Sequence, residues 1–267
     1  MYNTYQFFTG ANRETVRLIL RPVMRPYHYI PQPTVRDTDP SVRLRFARWV
    51  AQMEEENPGW TRTILFSDES NFTQGGTMNR QNYRYWSENN PRWTREVENQ
   101  RRWTLNVWGG IVGDRLVGPH YFEGPLNGAM YIQFLQNDLP RLLQGNPVPS
   151  AQMWFHQDCA RPHSSRDVTN YLDAEFPGRG IGNMAPGNRK WPPRSPDMTP
   201  LDFYHWGRLK DRCYAEPPTT KEDMRQRIIR EWRLITPREL QRVRRQFLKI
   251  IHCVIEHEGG HVQPYLN

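Results

Sequence analysis

Cysteine is scarce in this chain, and its few cysteines are not arranged in pairs. The 267 residues include only Cys159, Cys213 and Cys253, with no Cys-x-x-Cys spacing. An odd number of widely separated cysteines excludes the disulfide framework of small secreted proteins and indicates a reducing compartment.

Long apolar runs are also missing. No stretch approaches the roughly 20 apolar residues that a membrane-spanning helix requires. The N-terminus lacks the basic segment followed by an apolar one that marks a signal peptide. Hydrophobic residues make up 37% of the chain, and the mean hydropathy is -0.86. We therefore expect a soluble intracellular protein with no membrane partner.

Positive charge and aromatic residues are plentiful. The net charge is +8, and ten Trp, twelve Tyr and eleven Phe can fill a core with few residues. A basic balance favours an anionic partner, of which nucleic acid is the commonest for an intracellular protein. An enzyme that is merely basic fits the charge equally well.

Hydrophobic periodicity divides the chain into a helical first part, residues 1–60, and a mixed part, residues 61–267. In the first part it predicts helices at 12–20 and 41–56. In the second it predicts strands at 63–66, 104–112, 116–122 and 152–156, and helices at 130–143, 164–176, from 199, 219–235 and 236–257. Residues 177–194 read as a long loop. This order predicts an α/β domain with a mixed sheet.

Three acids stand where a metal site could form. Asp68 and Asp158 each follow a short apolar strand, and Asp202 lies in the first turn of a predicted helix. Carboxylates from separate rigid elements can hold hard divalent cations, and a two-ion site catalyses phosphoryl transfer. Each acid also has a local alternative. Asp68 can cap the segment after its strand, Asp158 can accept turn hydrogen bonds, and Asp202 can pair with Thr199 as a capping box.

The sequence motifs around these acids resemble those of the catalytic domain of mariner-type transposases. They are SDESNF at 67–72, NVWGGI at 106–111, QDCARPH at 157–163 and WPPRSPDMTPLD at 191–202. The resemblance runs in the same order from about Thr63 to Tyr214. It implies an RNase H-like fold with about five strands flanked by helices.

The same resemblance assigns the site. It makes Asp68, Asp158 and Asp202 the catalytic residues and the ligands of two Mg²⁺ or Mn²⁺ ions, with Asp68 shared by both ions. Asp197 is assigned to a turn instead. Glu69 is expected to face away from Asp68, because successive strand residues point to opposite faces.

The resemblance also names partners. It implies DNA, as transposon ends and target, a homodimer, and a nuclear location, with no small-molecule substrate. Arg161, His163 and Arg194 are candidate contacts to DNA phosphate, with structural hydrogen bonding as the alternative. Residues 78–93 would form a clamp loop or a hairpin that packs on the sheet.

Two departures from the family pattern stand out. The spacing between Asp158 and Asp202 is longer than is typical of mariner enzymes, and the Gly- and Pro-rich segment 177–186 would absorb the excess. Family members carry two helix-turn-helix units before the catalytic domain. Residues 1–60 would then be a helical remnant and linker after such a region.

A cluster of metal-binding residue types lies near the C-terminus. It comprises His252, Cys253, His257 and His261, a set from which zinc could be bound. Positions 253 and 257 share a helix face, although the fourth ligand is open and Gly259-Gly260 would loosen the end of the helix.

These residues predict metal-dependent cleavage and transfer of DNA strands by direct attack at phosphorus. Two alternatives stay open. One is a catalytically silent, transposon-derived protein that binds DNA or takes part in assembly. The other is a nuclease of the RNase H type that acts on RNA–DNA hybrids. This activity fits the three acids but not the sequence motifs around them.

Overall fold

The computed structural model describes residues 36–75, 103–183, 189–262 and 265. All of them belong to one compact unit, residues 34–267. The predicted helix at 12–20 and the predicted clamp loop at 78–93 lie outside the described residues. In the part that is described, every helix is too short or too polar to cross a membrane.

The strands of the described residues form one mixed sheet. They are β1 (Ile64–Thr73), β2 (Thr104–Val112), β3 (Arg115–Phe122), β4 (Trp154–His156) and β5 (Gly180–Ile181), in the spatial order β3-β2-β1-β4-β5. Antiparallel pairing joins β1 to β2 and β2 to β3, while β4 is parallel to both β1 and β5. The prediction of an α/β fold with about five strands in a mixed sheet is confirmed.

Strand β1 is longer than predicted. The apolar pattern predicts that the strand ends at Phe66, but pairing with β2 continues from Phe66 to Thr73. Asp68 therefore lies within the strand rather than at its end. The polar residues from Ser67 to Asn71 hide this extension in the sequence. They belong to the strand through their backbone pairing with β2, and they do not show the apolar pattern that predicts a strand.

Helices cover both faces of the sheet. They are α1 (Asp39–Glu56), α2 (Gly128–Gln133), α3 (Leu139–Leu142), α4 (Arg166–Glu175), α5 (Gly207–Cys213), α6 (Lys221–Arg233) and α7 (Pro237–Glu256). π-Helical turns at Phe134–Asp138 and Leu201–Trp206 join α2 to α3 and lead into α5. Short 3₁₀ turns occur at Trp60–Thr63, Ser150–Gln152, Pro162–Ser164 and Pro196–Met198.

Two buried clusters form the core, one on each face of the sheet. One joins the sheet to α1, α5, α6 and α7, through residues such as Phe66, Trp206, Ile228 and Phe247. The other joins it to α2, α3 and α4, through residues such as Trp108, Phe134, Phe155 and Leu172. The sheet is thus the middle layer of three.

Helix termini and the long loop differ from the sequence expectations in detail. A Thr-x-x-Glu pattern begins both C-terminal helices in the sequence and predicts a capping box at Thr236 with Glu239 and at Thr219 with Glu222. The first box is present. The second is not formed, because Thr220 is the N-cap and accepts from the backbone of Asp223. The predicted loop 177–194 contains β5, which pairs through only two residues and leaves no periodic pattern.

Arg43, on α1, is the most fully bonded charged side chain in the interior. Its guanidinium pairs with both oxygens of Asp197 at 2.7 and 2.8 Å, and it also donates to the Ser195 hydroxyl. The carbonyl oxygens of Gly259 and Gly260 accept its remaining hydrogen bonds. One buried cation therefore joins α1, the turn before the Asp202 segment and the end of α7.

A second ion pair lies beside the first with the charges reversed. Asp39, one turn before Arg43 on α1, accepts hydrogen bonds from the Arg194 guanidinium. Asp39 and Arg43 of α1 thus each pair with a residue of opposite charge in the segment Arg194–Asp197. This crossed arrangement fixes the register between the helix and that segment.

Removing the buried cation should be costly. We expect Arg43→Ala to lower the free energy of unfolding by about 3–5 kcal/mol, because it leaves Asp197 buried without its counter-charge. Arg45→Ala, on the exposed side of the same helix, should change it by less than about 0.5 kcal/mol. Urea denaturation followed by circular dichroism compares the two, and equal losses would contradict the role given to Arg43.

Candidate active site

The parallel pairing of β1 with β4 brings two of the predicted acids side by side. The register pairs Phe66 with His156, the last pair of the ladder. Asp68 and Asp158 each lie two residues beyond that pair, so they share a level and a face at the end of β4. The Ser67 hydroxyl donates to the His156 carbonyl at 2.6 Å, which holds the strands together at this point.

The third acid reaches the same place from the opposite wall. A cavity of about 320 Å³ is lined by Asp68, Asp158 and Asp202 together. Its other lining residues are Ser67, His156, Cys159, Ala160, Trp191, Pro193, Arg194, Ser195, Pro196 and Thr199. The structure therefore brings all three predicted acids to one cavity, while Asp197 is turned away and bound to Arg43.

Asp68 is held in an environment that disfavours its charge. Burial raises the pKa of this carboxyl well above its ordinary value, and the charges of Asp202 and Glu69 raise it further. The Trp206 indole donates to Asp68 Oδ2 at 2.8 Å and offsets part of this effect. The uncompensated negative charge is the condition that a bound cation relieves.

Asp158 is held ionised by a buried histidine. Burial acts to raise the pKa of this carboxyl, but the hydrogen bond and charge of His163 prevail and lower it. His163 Nδ1 lies 2.6 Å from Asp158 Oδ1, and its Nε2 lies 3.2 Å from Glu69 Oε2. The imidazole is 2% exposed and packs on the Tyr131 ring, 4.4 Å away between centroids. Burial opposes its charge, yet the two carboxylates raise its pKa to about 10.

This contact also explains the position of Glu69. The Glu69 carboxylate contacts His163, whereas the Asp68 carboxylate accepts a hydrogen bond from Trp206, in the π-helical turn before α5. The two neighbours on β1 thus have different surroundings, as the alternation of a strand predicts.

The local alternatives for the acids are partly realised. Asp158 Oδ1 accepts the predicted turn hydrogen bond from the Ala160 backbone at 2.9 Å. Asp202 does not form the alternative capping box, because the N-cap of its turn is Pro200 and no side chain caps it. Asp202 is instead exposed beside the cavity, where partial desolvation and Asp158 raise its pKa to about 6.

The acids suit hard divalent cations by chemistry and charge. Carboxylate oxygens are the ligands that Mg²⁺ and Mn²⁺ prefer, and such ions offset the burial and the neighbouring negative charge that raise the pKa of Asp68 and of Asp202. The three carboxylates do not all lie within 4.8 Å of one another.

The predicted phosphate contacts are placed differently from one another. Arg161 is exposed three residues beyond Asp158. His163 is buried against two carboxylates, and Arg194 lines the cavity while its guanidinium binds Asp39. The structural alternative thus applies to His163 and Arg194 in this state, and contact with DNA stays a prediction for all three.

Sequence reasoning missed several residues that shape the site. Trp206 and Glu69 reach their partners only through the fold, and no local pattern marks either one. His156 lines the cavity, and burial lowers its pKa to about 3. Both of its ring nitrogens are buried without a hydrogen-bond partner among the described residues, so the site contains a neutral histidine that the strand pattern presented as core.

Comparison with known proteins is informative at the level of structure. No protein-family model matches the sequence, and comparison with curated proteins gave no match. Solved structures do match. The Mos1 transposase paired-end complex with left transposon end superposes with a TM-score of 0.74 at 14% identity, over 97% of this chain and 74% of that one.

Two further solved structures bear on the site. The Mos1 mariner paired end complex with Mn gives a TM-score of 0.69 at 18% identity, over 97% of this chain and 75% of that one. The catalytic domain of Mos1 mariner transposase gives 0.65 at 15% identity, over 87% of this chain and 99% of that one. The chain has the RNase H-like fold of that catalytic domain. At such identities the likeness establishes the fold, and the chemistry rests on the residues of this chain.

Neutralising Asp68 and Asp158 should move stability in opposite directions. The raised pKa of Asp68 means that folding disfavours its charged form, so Asp68→Asn should raise the melting temperature at pH 7. The lowered pKa of Asp158 means that folding favours its charged form, so Asp158→Asn should lower it. Thermal unfolding in EDTA, which keeps the protein free of metal, makes the comparison. Shifts of the same sign would contradict this description of the electrostatics.

Proposed function

We propose that this protein is the catalytic part of a DNA transposase, which cleaves and joins DNA strands by metal-dependent phosphoryl transfer. One observation carries the proposal: Asp68, Asp158 and Asp202, which are far apart in sequence, line a single cavity where β4 ends, in the middle of a sheet with the RNase H-like fold. Burial and the charges of neighbouring acids raise the pKa of both Asp68 and Asp202, a perturbation that is typical of functional sites.

Asp68, Asp158 and Asp202 would hold two Mg²⁺ or Mn²⁺ ions. When bound, the ions supply activation of the attacking oxygen and stabilisation of the leaving oxygen at phosphorus. Asp68 would be a ligand together with Asp158 and Asp202, since all three line the cavity and the pKa of Asp68 responds to the charges of the other two. The solved structures of similar fold include Mos1 complexes with Mn and with Mg, which supports this choice of ions.

DNA is the proposed partner. The net charge of +8 favours a polyanion, and the similar structures include a Mos1 strand transfer complex and a pre-cleavage transpososome. Transposon ends and target DNA would be the substrates, a homodimer the acting form and the nucleus the place of action. Arg161, exposed three residues beyond Asp158, would contact a phosphate near the cavity.

Some residues of the site would bind the ions, and others position the side chains that bind them. The Asp158 side chain is 47% exposed, but His163 holds one of its oxygens, and Glu69 lies against the other side of that ring. The second oxygen stays available to an ion. Trp206 holds one oxygen of Asp68 in the same way. His163, Glu69 and Trp206 are therefore positioning residues for the carboxylates.

Loss of His163 should weaken metal binding more than it weakens the fold. We expect His163→Gln to reduce Mn²⁺ affinity on the order of 10–100-fold, as loss of a group that orients a metal ligand commonly does. His252→Gln, at an exposed position of α7, is the matched control. Calorimetric titration with Mn²⁺ measures the affinity. A merely structural role would leave the affinity of the folded variant unchanged, and high Mn²⁺ would then fail to restore its activity.

Nicking of supercoiled plasmid tests the chemistry itself. We expect wild-type protein to nick DNA in Mg²⁺ or Mn²⁺ and Asp158→Ala to be inactive while remaining folded. Asp167→Ala removes an exposed acid in the first turn of α4 and should retain activity. Activity in Asp158→Ala would remove that residue from the mechanism.

A negative result with wild-type protein is also informative. If the folded protein binds Mn²⁺ and DNA but does not nick DNA, the result favours the catalytically silent, transposon-derived protein over the active transposase. Preference for RNA–DNA hybrids over duplex DNA in the same assay would favour the nuclease of the RNase H type.

A further inference from the structure

A second group of metal-ligand side chains lies at the end of α7. The Cys253 sulfur, a Glu256 carboxylate oxygen and a His257 ring nitrogen all lie within 4.8 Å of one another. Their spacing of three and four residues places them on one face of the last helical turn. Among the residues that the structure describes, these three are the sole such group.

This group differs from the cluster that the sequence suggested. His252 precedes Cys253 by one residue and is exposed on another face of the helix. His261 is 8% exposed, and its Nδ1 lies 3.3 Å from Asp197 Oδ2. Glu256 takes their place, since it is the residue that the helix brings beside Cys253 and His257.

The end of α7 is held rigidly, contrary to what Gly259-Gly260 suggested from sequence. The Gly259 amide donates to the Val254 carbonyl at 2.8 Å, and the Gly259 carbonyl accepts from the buried Arg43 at 2.8 Å. Gly259 has a φ of 87°, and a Cβ there would lie 1.9 Å from the Pro40 carbonyl oxygen. Glycine is therefore required for close packing, and the helix end is anchored to α1.

The three donor atoms are not used elsewhere in the described part of the chain. No hydrogen bond or ion pair there takes the Cys253 sulfur, the Glu256 carboxylate or the His257 ring nitrogens. The His257 ring stacks on Tyr265 with centroids 3.8 Å apart, which restrains the plane of the imidazole. The last turn of α7 contributes no basic residue of its own that could pair with Glu256.

We propose that Cys253, Glu256 and His257 form a binding site for a zinc-like divalent cation, with water as the fourth ligand. Sulfur, nitrogen and carboxylate oxygen together form a donor set that suits Zn²⁺ or Co²⁺ rather than Mg²⁺. The cation would complete the end of α7, which the Arg43 contacts join to the segment before Asp202. The site is separate from the carboxylate cavity and does not depend on the proposed transposase activity.

Cobalt titration is the direct test, because a thiolate bound to Co²⁺ gives a charge-transfer absorption that carboxylates cannot produce. We expect the band in wild-type protein and in Asp68→Asn, whose carboxylate cavity is altered. Cys159→Ser should also keep it, which excludes the thiol that lines that cavity. Cys253→Ser should lose the band.

The other two ligands are tested by affinity. Glu256→Gln and His257→Asn should each weaken Co²⁺ binding by at least about tenfold, while Glu258→Gln and His252→Asn should bind as wild type does. Because Glu256 is exposed, its variant keeps the test valid if another variant fails to fold. Absence of the band in folded wild-type protein, its persistence in Cys253→Ser, or wild-type affinity in either ligand variant would overturn the proposal.

Discussion

The parallel register between β1 and β4 is the constraint on which the site depends. Phe66 pairs with His156, and the acids two residues further along each strand come to lie together where the shorter strand ends. A slip of one residue would turn one acid to the opposite face of the sheet. The buried Phe66 and Phe155, on opposite faces of the sheet, prevent that slip, so packing in the two layers of the core sets the geometry of the carboxylates.

Buried charge plays a different part on the other wall of the cavity. Arg43 and Asp197 contribute little favourable energy beyond the cost of their desolvation, but each is indispensable once the other is buried. Their value is in specificity of arrangement, since the pair fixes where the segment before Asp202 lies relative to α1 and α7. Asp202 itself is exposed, and its position follows from this buried support.

The sequence indicated the acids and the fold class, but not how the site is held. Asp68, Asp158 and Asp202 could be found because each lies in a recognisable sequence motif. Arg43 could not, since a charged residue on an amphipathic helix is ordinarily solvated. For His163 the sequence leaves phosphate contact and structural hydrogen bonding both open, because its burial depends on Glu69 and Tyr131, which only the tertiary structure brings near. The two-residue strand β5 leaves too short a pattern to recognise.

The most direct test of the central claim is the anomalous diffraction of Mn²⁺ in crystals of the protein. The account predicts two Mn²⁺ peaks in the cavity, with Asp68 bound to both and Asp158 and Asp202 each bound to one. Crystals of Asp68→Asn should lose them. A wild-type cavity without Mn²⁺ at concentrations that support nicking, or peaks that persist in Asp68→Asn, would contradict the assignment of these three carboxylates as the metal centre.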